Sequence, residues 1–121
     1  MFFTGDKEFA DAIPYYFNIY EIKGNVITHT YTMRDKPDEL AKKIIQQKPE
    51  ILVLDDVIYN EYNEFDIIKK LENKRPKKII VYSTYKNKKD ECQKIEIPFC
   101  DARKGVFIRG GLLETIKKMI R

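Results

Sequence analysis

The chain has 121 residues, with 35% charged and 43% hydrophobic side chains and a formal net charge of +4. This length predicts one domain, residues 1–121, built around a single core. No apolar run approaches the roughly 20 residues that a helix needs to cross a bilayer. Residues 1–6, Met-Phe-Phe-Thr-Gly-Asp, do not resemble a signal peptide. We therefore expect a cytoplasmic protein with no membrane association.

Metal-binding and nucleic-acid-binding classes receive little support from the composition. Cys92 and Cys100 lack a paired spacing and His29 is the only histidine, so we interpret them as reduced thiols and an incidental histidine rather than a zinc site. The lysines are spread over turns and helix faces instead of gathering with aromatic residues on one element. Nucleic-acid binding is therefore unsupported.

The first fifty residues predict strand and helix in alternation. A short first strand covers residues 1–4, and Asp6 is placed to cap a helix over residues 7–13. Pro14 should interrupt or kink that helix, and residues 15–20 can pack as continued helix or as irregular cover.

A turn at Gly24-Asn25 precedes residues 26–31, where β-branched and polar side chains alternate as in a strand near a sheet edge. Residues 35–39 then carry the acidic and proline signals of a helix start. Apolar residues recur at helical spacing until Pro49 ends the helix.

The central element is the aliphatic run Ile-Leu-Val-Leu at residues 51–54, followed by Asp55 and Asp56. Such a run predicts a strand buried on both faces, at the centre of a parallel sheet. The two aspartates then lie at its carboxyl end, the edge where open α/β sheets place ligands and chemistry.

Beyond the aspartates, residues 57–63 suit a loop, and residues 65–71 suit a helix that ends before Pro76. Residues 79–82 form a second buried strand, which stops at Ser83.

The last quarter of the chain contains two helices and an ambiguous strand. Residues 87–94 suit a short exposed helix, and residues 112–120 an amphipathic helix after Gly110-Gly111. Between them, residues 95–100 and residues 106–108 each resemble a strand. Five strands alternating with five helical segments predict the α/β class: a flavodoxin-like three-layer α/β/α sandwich with a five-stranded parallel sheet.

Over essentially the whole chain, these features resemble the receiver domain of response regulators, the phosphoproteins of two-component signal transduction. In that family a phosphoacceptor aspartate ends the third strand, a serine or threonine the fourth and a lysine the fifth, and an acidic pair follows the first. Spacing into the helix at Phe65 implies that Asp56 is the phosphoacceptor, the nucleophile for a phosphoryl group. Counting from Pro49 selects Asp55 instead.

The resemblance assigns the remaining roles to other strand ends. Ser83 is the hydroxyl that would bind phosphoryl oxygens. Two bases compete for the lysine position: Lys104 has nearly the family's spacing, which favours it, whereas Arg109 follows the strand-like residues 106–108.

The magnesium site that the resemblance implies departs from the family. Thr4-Gly5-Asp6 stands where two or three acids are expected. Asp6, Asp55 and Asp56 are left as candidate ligands, which predicts weak Mg²⁺ binding and no other cofactor. Glu64 also replaces the family's glycine eight residues beyond the acceptor, and Asn60 replaces the usual proline.

Three functions follow. The first is a stand-alone receiver-like or pseudo-receiver domain that is not an enzyme and binds a protein partner through the face of its fourth helix, fifth strand and fifth helix. That face includes Tyr85, Phe107 and the lysine-rich last helix. The second is an active single-domain response regulator phosphorylated on Asp56 by a histidine kinase. The third is a small α/β enzyme or nucleotide-binding protein that uses Asp55, Asp56 and the Gly110-Gly111 helix start as an anion site.

Overall fold

Strands and helices alternate along the chain in a computed structural model that describes residues 1–24, 26–30, 35–55, 58–59, 62–104 and 111–120. Within these residues, in chain order, lie β1 (Phe2–Thr4), α1 (Lys7–Ile19), β2 (Thr28–Thr30), α2 (Pro37–Gln47), β3 (Ile51–Asp55), β4 (Ile58–Tyr59), β5 (Tyr62–Asn63), α3 (Glu64–Leu71), β6 (Lys78–Ser83), α4 (Lys86–Lys94), β7 (Phe99–Asp101) and α5 (Leu112–Ile120). Single 3₁₀ turns follow α3 at Glu72–Lys74 and β7 at Ala102–Lys104.

Five of the strands form one parallel sheet in the order β2-β1-β3-β6-β7. Every pairing within it is parallel, and β3 lies in the middle. The chain starts at β1, moves outward to β2, and then crosses back to build the other half from β3. This winding places helices on both faces. The flavodoxin-like α/β sandwich is therefore confirmed.

The central strand is buried on both sides, as its aliphatic run predicts. Leu52, Val53 and Leu54 are all 0% exposed. Successive side chains of a strand point to opposite faces, so Leu52 and Leu54 pack with residues of α2 and α3, whereas Val53 packs with residues of α1 and α5. The sheet thus separates two apolar cores, and β3 contributes to each.

The first helix follows the longer of the two courses that the sequence leaves open. Asp6 caps it as expected, since its Oδ1 accepts a hydrogen bond from the Phe9 amide at 3.2 Å. Pro14 does not interrupt it, because α1 continues to Ile19, and the segment after Pro14 is continued helix rather than irregular cover. Pro14 lies on the exposed face of the helix, while the opposite face, with Ile13 and Phe17, packs on the sheet. Burial of that apolar face offsets the hydrogen bond that a proline cannot donate.

Two connections differ from the expected pattern. The predicted loop over residues 57–63 contains a small antiparallel hairpin, in which β4 pairs with β5. Of residues 95–100, one of the two candidates for the fifth strand, only the last two are strand, because Ile95 still belongs to the end of α4. The strand is β7, and it pairs with β6 through Val81–Phe99, Tyr82–Cys100 and Ser83–Asp101. Residues 106–108, the other candidate for this strand, lie outside the described residues.

Edges and the last helix follow the sequence closely. The predicted edge strand is β2, which begins at Thr28 rather than at residue 26 and, within the described part of the chain, pairs with β1 alone. The last helix has the predicted bounds, and Leu112, Leu113 and Ile116 are buried. Ile120, which the helical pattern assigns to the same apolar face, is instead 49% exposed.

Candidate functional site

All five strands of the sheet bring polar side chains to one edge. Their last residues are Thr30, Thr4, Asp55, Ser83 and Asp101. Parallel pairing aligns these ends, because Asp55 is in register with Tyr82, and Ser83 with Asp101. We call this row of strand ends the carboxyl edge. It is the edge at which the sequence places the candidate site.

A hydrogen bond joins the ends of the first and third strands. The Thr4 hydroxyl donates to Asp55 Oδ2 at 2.6 Å, and Thr4 is fully buried while Asp55 is half-buried. The same hydroxyl oxygen accepts from the Asp6 amide at 3.1 Å. The Thr4 hydroxyl thus donates one hydrogen bond and accepts another, which fixes its orientation. It also holds the Asp55 carboxylate on the face of the sheet that α1 and α5 cover.

Two of the three candidate magnesium ligands, Asp6 and Asp55, are among the described residues, and each makes a hydrogen bond to another group. Asp6 Oδ1 accepts a hydrogen bond from the Phe9 amide and caps α1. Asp55 accepts a hydrogen bond from the neutral hydroxyl of Thr4. Among the described residues, no group of three histidine, cysteine, aspartate or glutamate side chains is placed to hold a metal ion. Asp56, the third candidate ligand and the expected phosphoacceptor, lies outside the described residues. Weak magnesium binding stays a prediction.

Ser83 serves the turn between β6 and α4. Its side chain is buried, and its Oγ accepts a hydrogen bond from the Tyr85 amide at 3.0 Å. This contact fixes the chain just before the helix begins at Lys86. A role of the Ser83 hydroxyl in binding an anion stays a prediction.

The end of the fifth strand carries an ion pair that the sequence analysis missed. Asp101 Oδ2 accepts from Arg103 Nη2 at 2.7 Å, and Arg103 Nε lies 3.0 Å from Oδ1. Hydrogen bonds from Arg103 to Asp101, together with the carboxylate charge, raise the pKa of the guanidinium. An Asp-x-Arg spacing at the end of a strand is the signal for such a pair.

The side chains of the two bases expected beside the aspartates, Lys104 and Arg109, are not among the described parts of the structure. Lys104 ends the 3₁₀ turn after β7 and is described only by its backbone. Arg109 lies outside the described residues. The competition between them for the position nearest Asp56 remains a prediction, and Arg103 is the described cation closest along the chain to the end of β7.

A buried ion pair links the starts of α3 and α4. Lys88 Nζ lies 2.7 Å from Glu64 Oε2, and the side chains are 6% and 0% exposed. The Lys88 ammonium also lies 5.2 Å from the centre of the Tyr85 ring, a cation–π geometry. Glu64 and Lys88 are 24 positions apart, so no local pattern predicts the pair. The one signal in the sequence was Glu64 itself, which the resemblance to receiver domains places where that family has a glycine.

This ion pair also affects a neighbouring thiol. Cys92 is fully buried one helical turn beyond Lys88. The pKa of Cys92 is raised to about 11, chiefly by burial and then by the negative charges of Glu64 and Glu91, while the Lys88 charge lowers it by less. Cys92 is therefore an unreactive thiol at neutral pH, in agreement with its interpretation as a reduced core residue.

Among the described residues, no helix is both long enough and apolar enough to span a membrane. Comparison of the chain with protein-family models, with curated proteins and with solved structures gave no match.

Proposed function

We propose that this chain is a receiver-like signalling module that acts through contact with a protein partner and does not take up a phosphoryl group. The observation that carries the proposal is the hydrogen bond from Thr4 to Asp55 at 2.6 Å. A neutral hydroxyl stands beside the strand-end carboxylate at a position where the receiver family has an acid.

The chemistry of phosphoryl transfer gives this contact its meaning. Transfer to an aspartate requires cations that neutralise the charge of the phosphoryl oxygens, and magnesium is bound through carboxylates. Here Thr4 supplies no carboxylate for a magnesium ion, and Asp6 Oδ1 accepts a hydrogen bond from the Phe9 amide in the first turn of α1. Ser83 Oγ accepts from the Tyr85 amide in the turn before α4. Among the described groups of the carboxyl edge, Thr4, Asp6 and Ser83 thus make local contacts that stabilise the fold, which supports a module that signals by binding.

The partner surface we propose is the exposed side of α4. This helix buries only Lys88 and Cys92, while Tyr85 before it and Ile95 after it are 49% and 39% exposed. Large apolar side chains that flank a charged helix supply the anchors that protein interfaces use. Phe107, the other aromatic residue expected on this face, lies outside the described residues. Because Cys92 and Cys100 are free thiols, we assign the module to the reducing cytoplasm.

A phosphodonor assay tests the chemical half of the proposal. The protein is incubated with acetyl phosphate and Mg²⁺, and intact mass spectrometry measures the uptake of a phosphoryl group. An active receiver domain treated in parallel is the positive control. We expect no mass gain. A magnesium-dependent gain that disappears in Asp56→Asn but persists in Asp55→Asn would replace the proposal with an active response regulator phosphorylated on Asp56.

Site-specific crosslinking tests the binding half. A photo-crosslinking amino acid replaces Tyr85 in one variant and Tyr15, which is 65% exposed on α1, in the control variant. We expect one protein to be captured covalently from position 85 and not from position 15. Equal capture from both positions would contradict a partner surface on α4.

A further inference from the structure

Two adjoining cavities lie at the amino ends of the strands, opposite the carboxyl edge. The larger, of about 790 Å³, lies between the end of α2, the starts of β3 and β6 and the end of α5. The smaller, of about 410 Å³, extends below β1 and the segment before β2. Both are lined by Lys48, Pro49, Glu50, Ile51 and Ile120. They therefore form one continuous groove, which we call the amino-end groove.

The groove has the length of a short peptide segment. It passes below four neighbouring strands, β2, β1, β3 and β6. Three interstrand spacings amount to about 14 Å, a distance that about four residues of extended chain cover. A single small anion would occupy only a fraction of this length.

The floor of the groove is apolar. Its larger cavity is lined by Ile44, Ile45, Ile51 and Ile120. Ile120 is 49% exposed although it continues the buried stripe of α5. An aliphatic side chain left half-exposed inside a concave surface is a position where an apolar side chain of a ligand gains burial.

The rim of the groove is cationic. Lys48, Lys74, Arg75 and Lys77 are exposed at the larger cavity and Lys23 at the smaller one, and Glu50 is the only acid among the described lining residues. Lys70, Lys94 and Lys118 pair with carboxylates elsewhere. Within the described part of the chain, no ion pair involves a rim cation.

Lys78 differs from the rim cations, because its Nζ donates to the Met119 carbonyl in the last turn of α5. This contact holds α5 against the start of β6 and forms part of the groove wall. The rim cations therefore form no ion pair with a carboxylate of the described residues. Below them, the bond from Lys78 to Met119 fixes part of the groove.

We propose that the amino-end groove binds a short acidic segment of a partner protein in an extended conformation, with aliphatic side chains on the floor and carboxylates at the rim. Charge complementarity selects the acidic residues, and the half-exposed Ile120 selects the aliphatic ones. This binding goes beyond the function proposed above. It uses the opposite end of the sheet and requires neither Asp56 nor the surface around Tyr85.

A peptide of defined composition tests the proposal. The probe is a fluorescein-labelled octapeptide of alternating glutamate and leucine, and binding is measured by fluorescence anisotropy. Two control peptides replace every glutamate by glutamine or every leucine by serine. We expect saturable binding of the first peptide alone, with amide shifts in ¹H–¹⁵N NMR spectra centred on Lys48, Ile51 and the Lys74–Lys77 segment.

Matched variants separate the groove from general positive charge. Lys74→Glu/Arg75→Glu reverses two rim charges, and Lys86→Glu/Lys89→Glu makes the same change on exposed α4. We expect the rim variant to weaken binding about tenfold or more and the α4 variant to leave it nearly unchanged, as two lost exposed ion pairs predict. Ile120→Ser, which changes no charge, should weaken binding about fivefold.

Four results would overturn the proposal. They are equal binding of the glutamine peptide, equal binding of the serine peptide, equal weakening by the α4 variant, and equally tight binding of a single-stranded oligonucleotide with the same sensitivity to the rim variant. The last of these would assign the groove to nucleic acid.

Discussion

Replacing Lys88 by methionine should strongly destabilise the domain, because it removes the ammonium group from a buried carboxylate. Lys88 Nζ and Glu64 Oε2 lie 2.7 Å apart with almost no exposure. At an effective dielectric constant of about 20, two unit charges at this distance attract by about 6 kcal/mol. Desolvation of both ions offsets much of this attraction in the wild type.

The variant keeps the desolvated carboxylate of Glu64 and loses the positive charge of Lys88 beside it. Breaking a buried pair in this way costs about 3 to 5 kcal/mol, a large share of the roughly 5 to 15 kcal/mol by which a domain is stable. Urea denaturation followed by far-ultraviolet circular dichroism measures the free energy of unfolding. We expect a loss in this range for Lys88→Met and recovery of most of it in Glu64→Gln/Lys88→Met, where neither charge remains.

An exposed ion pair supplies the control. Lys7 and Asp11 lie 3.7 Å apart with side chains 79% and 68% exposed, so Lys7→Met should change the free energy of unfolding by less than about 1 kcal/mol. If Lys88→Met were no more destabilising than Lys7→Met, the interpretation of Glu64 and Lys88 as an internally compensated pair would be refuted.

Four further results are expected. Val53→Asp should abolish cooperative unfolding, because Val53 is 0% exposed between two helical layers and an unpaired buried charge costs several kcal/mol; a melting curve near that of the wild type would contradict the central position of β3. Thr4→Val should lower the free energy of unfolding by about 2 kcal/mol, the value of a hydrogen bond to a charged group, whereas the same change at half-buried Thr30 on β2 should cost less; equal losses would remove the significance of the bond to Asp55. Because the pKa of Cys92 is raised to about 11, the unfolded chain loses this proton first, so stability should fall by about 2 kcal/mol between pH 9 and pH 11, and Cys92→Ala should lose that part of the pH dependence. Magnesium, titrated by NMR, should bind in the millimolar range or not at all, because Thr4 supplies no carboxylate ligand at the carboxyl edge; saturation at micromolar concentrations would contradict this expectation.

The sequence predicts the elements that local pattern determines. The aliphatic run of β3 and the amphipathic repeat of α5 are strong signals, and both elements have nearly the predicted bounds. Asp6 was correctly predicted as a helix cap because capping depends on residues three positions apart. Pro14 left the course of residues 15–20 undecided, and the packing of α1 on the sheet outweighs its local helix-breaking signal.

Contacts between distant residues were beyond prediction. Thr4 and Asp55 are 51 positions apart, and Glu64 and Lys88 are 24 apart, so their pairing depends on how the strands and helices assemble. The amino-end groove has the same origin, since its rim combines the end of α2 with the connection between α3 and β6. The strand ends at or beside Thr4, Asp55 and Ser83 were predicted from the sequence, but the hydrogen-bond partner of each polar group was not.

The position of β1 inside the sheet has a consequence for the order of folding. Phe2 pairs with Thr28 on one side and with Val53 on the other, so β1 is completed only when the chain has reached β3. At about 5 to 20 residues per second, β3 follows β1 in synthesis by about 3 to 10 seconds. During this interval the aromatic side chains of Phe2 and Phe3 lack the β3 half of their final surroundings. Ribosome-bound chains ending before residue 51 should therefore be the species most prone to capture by chaperones.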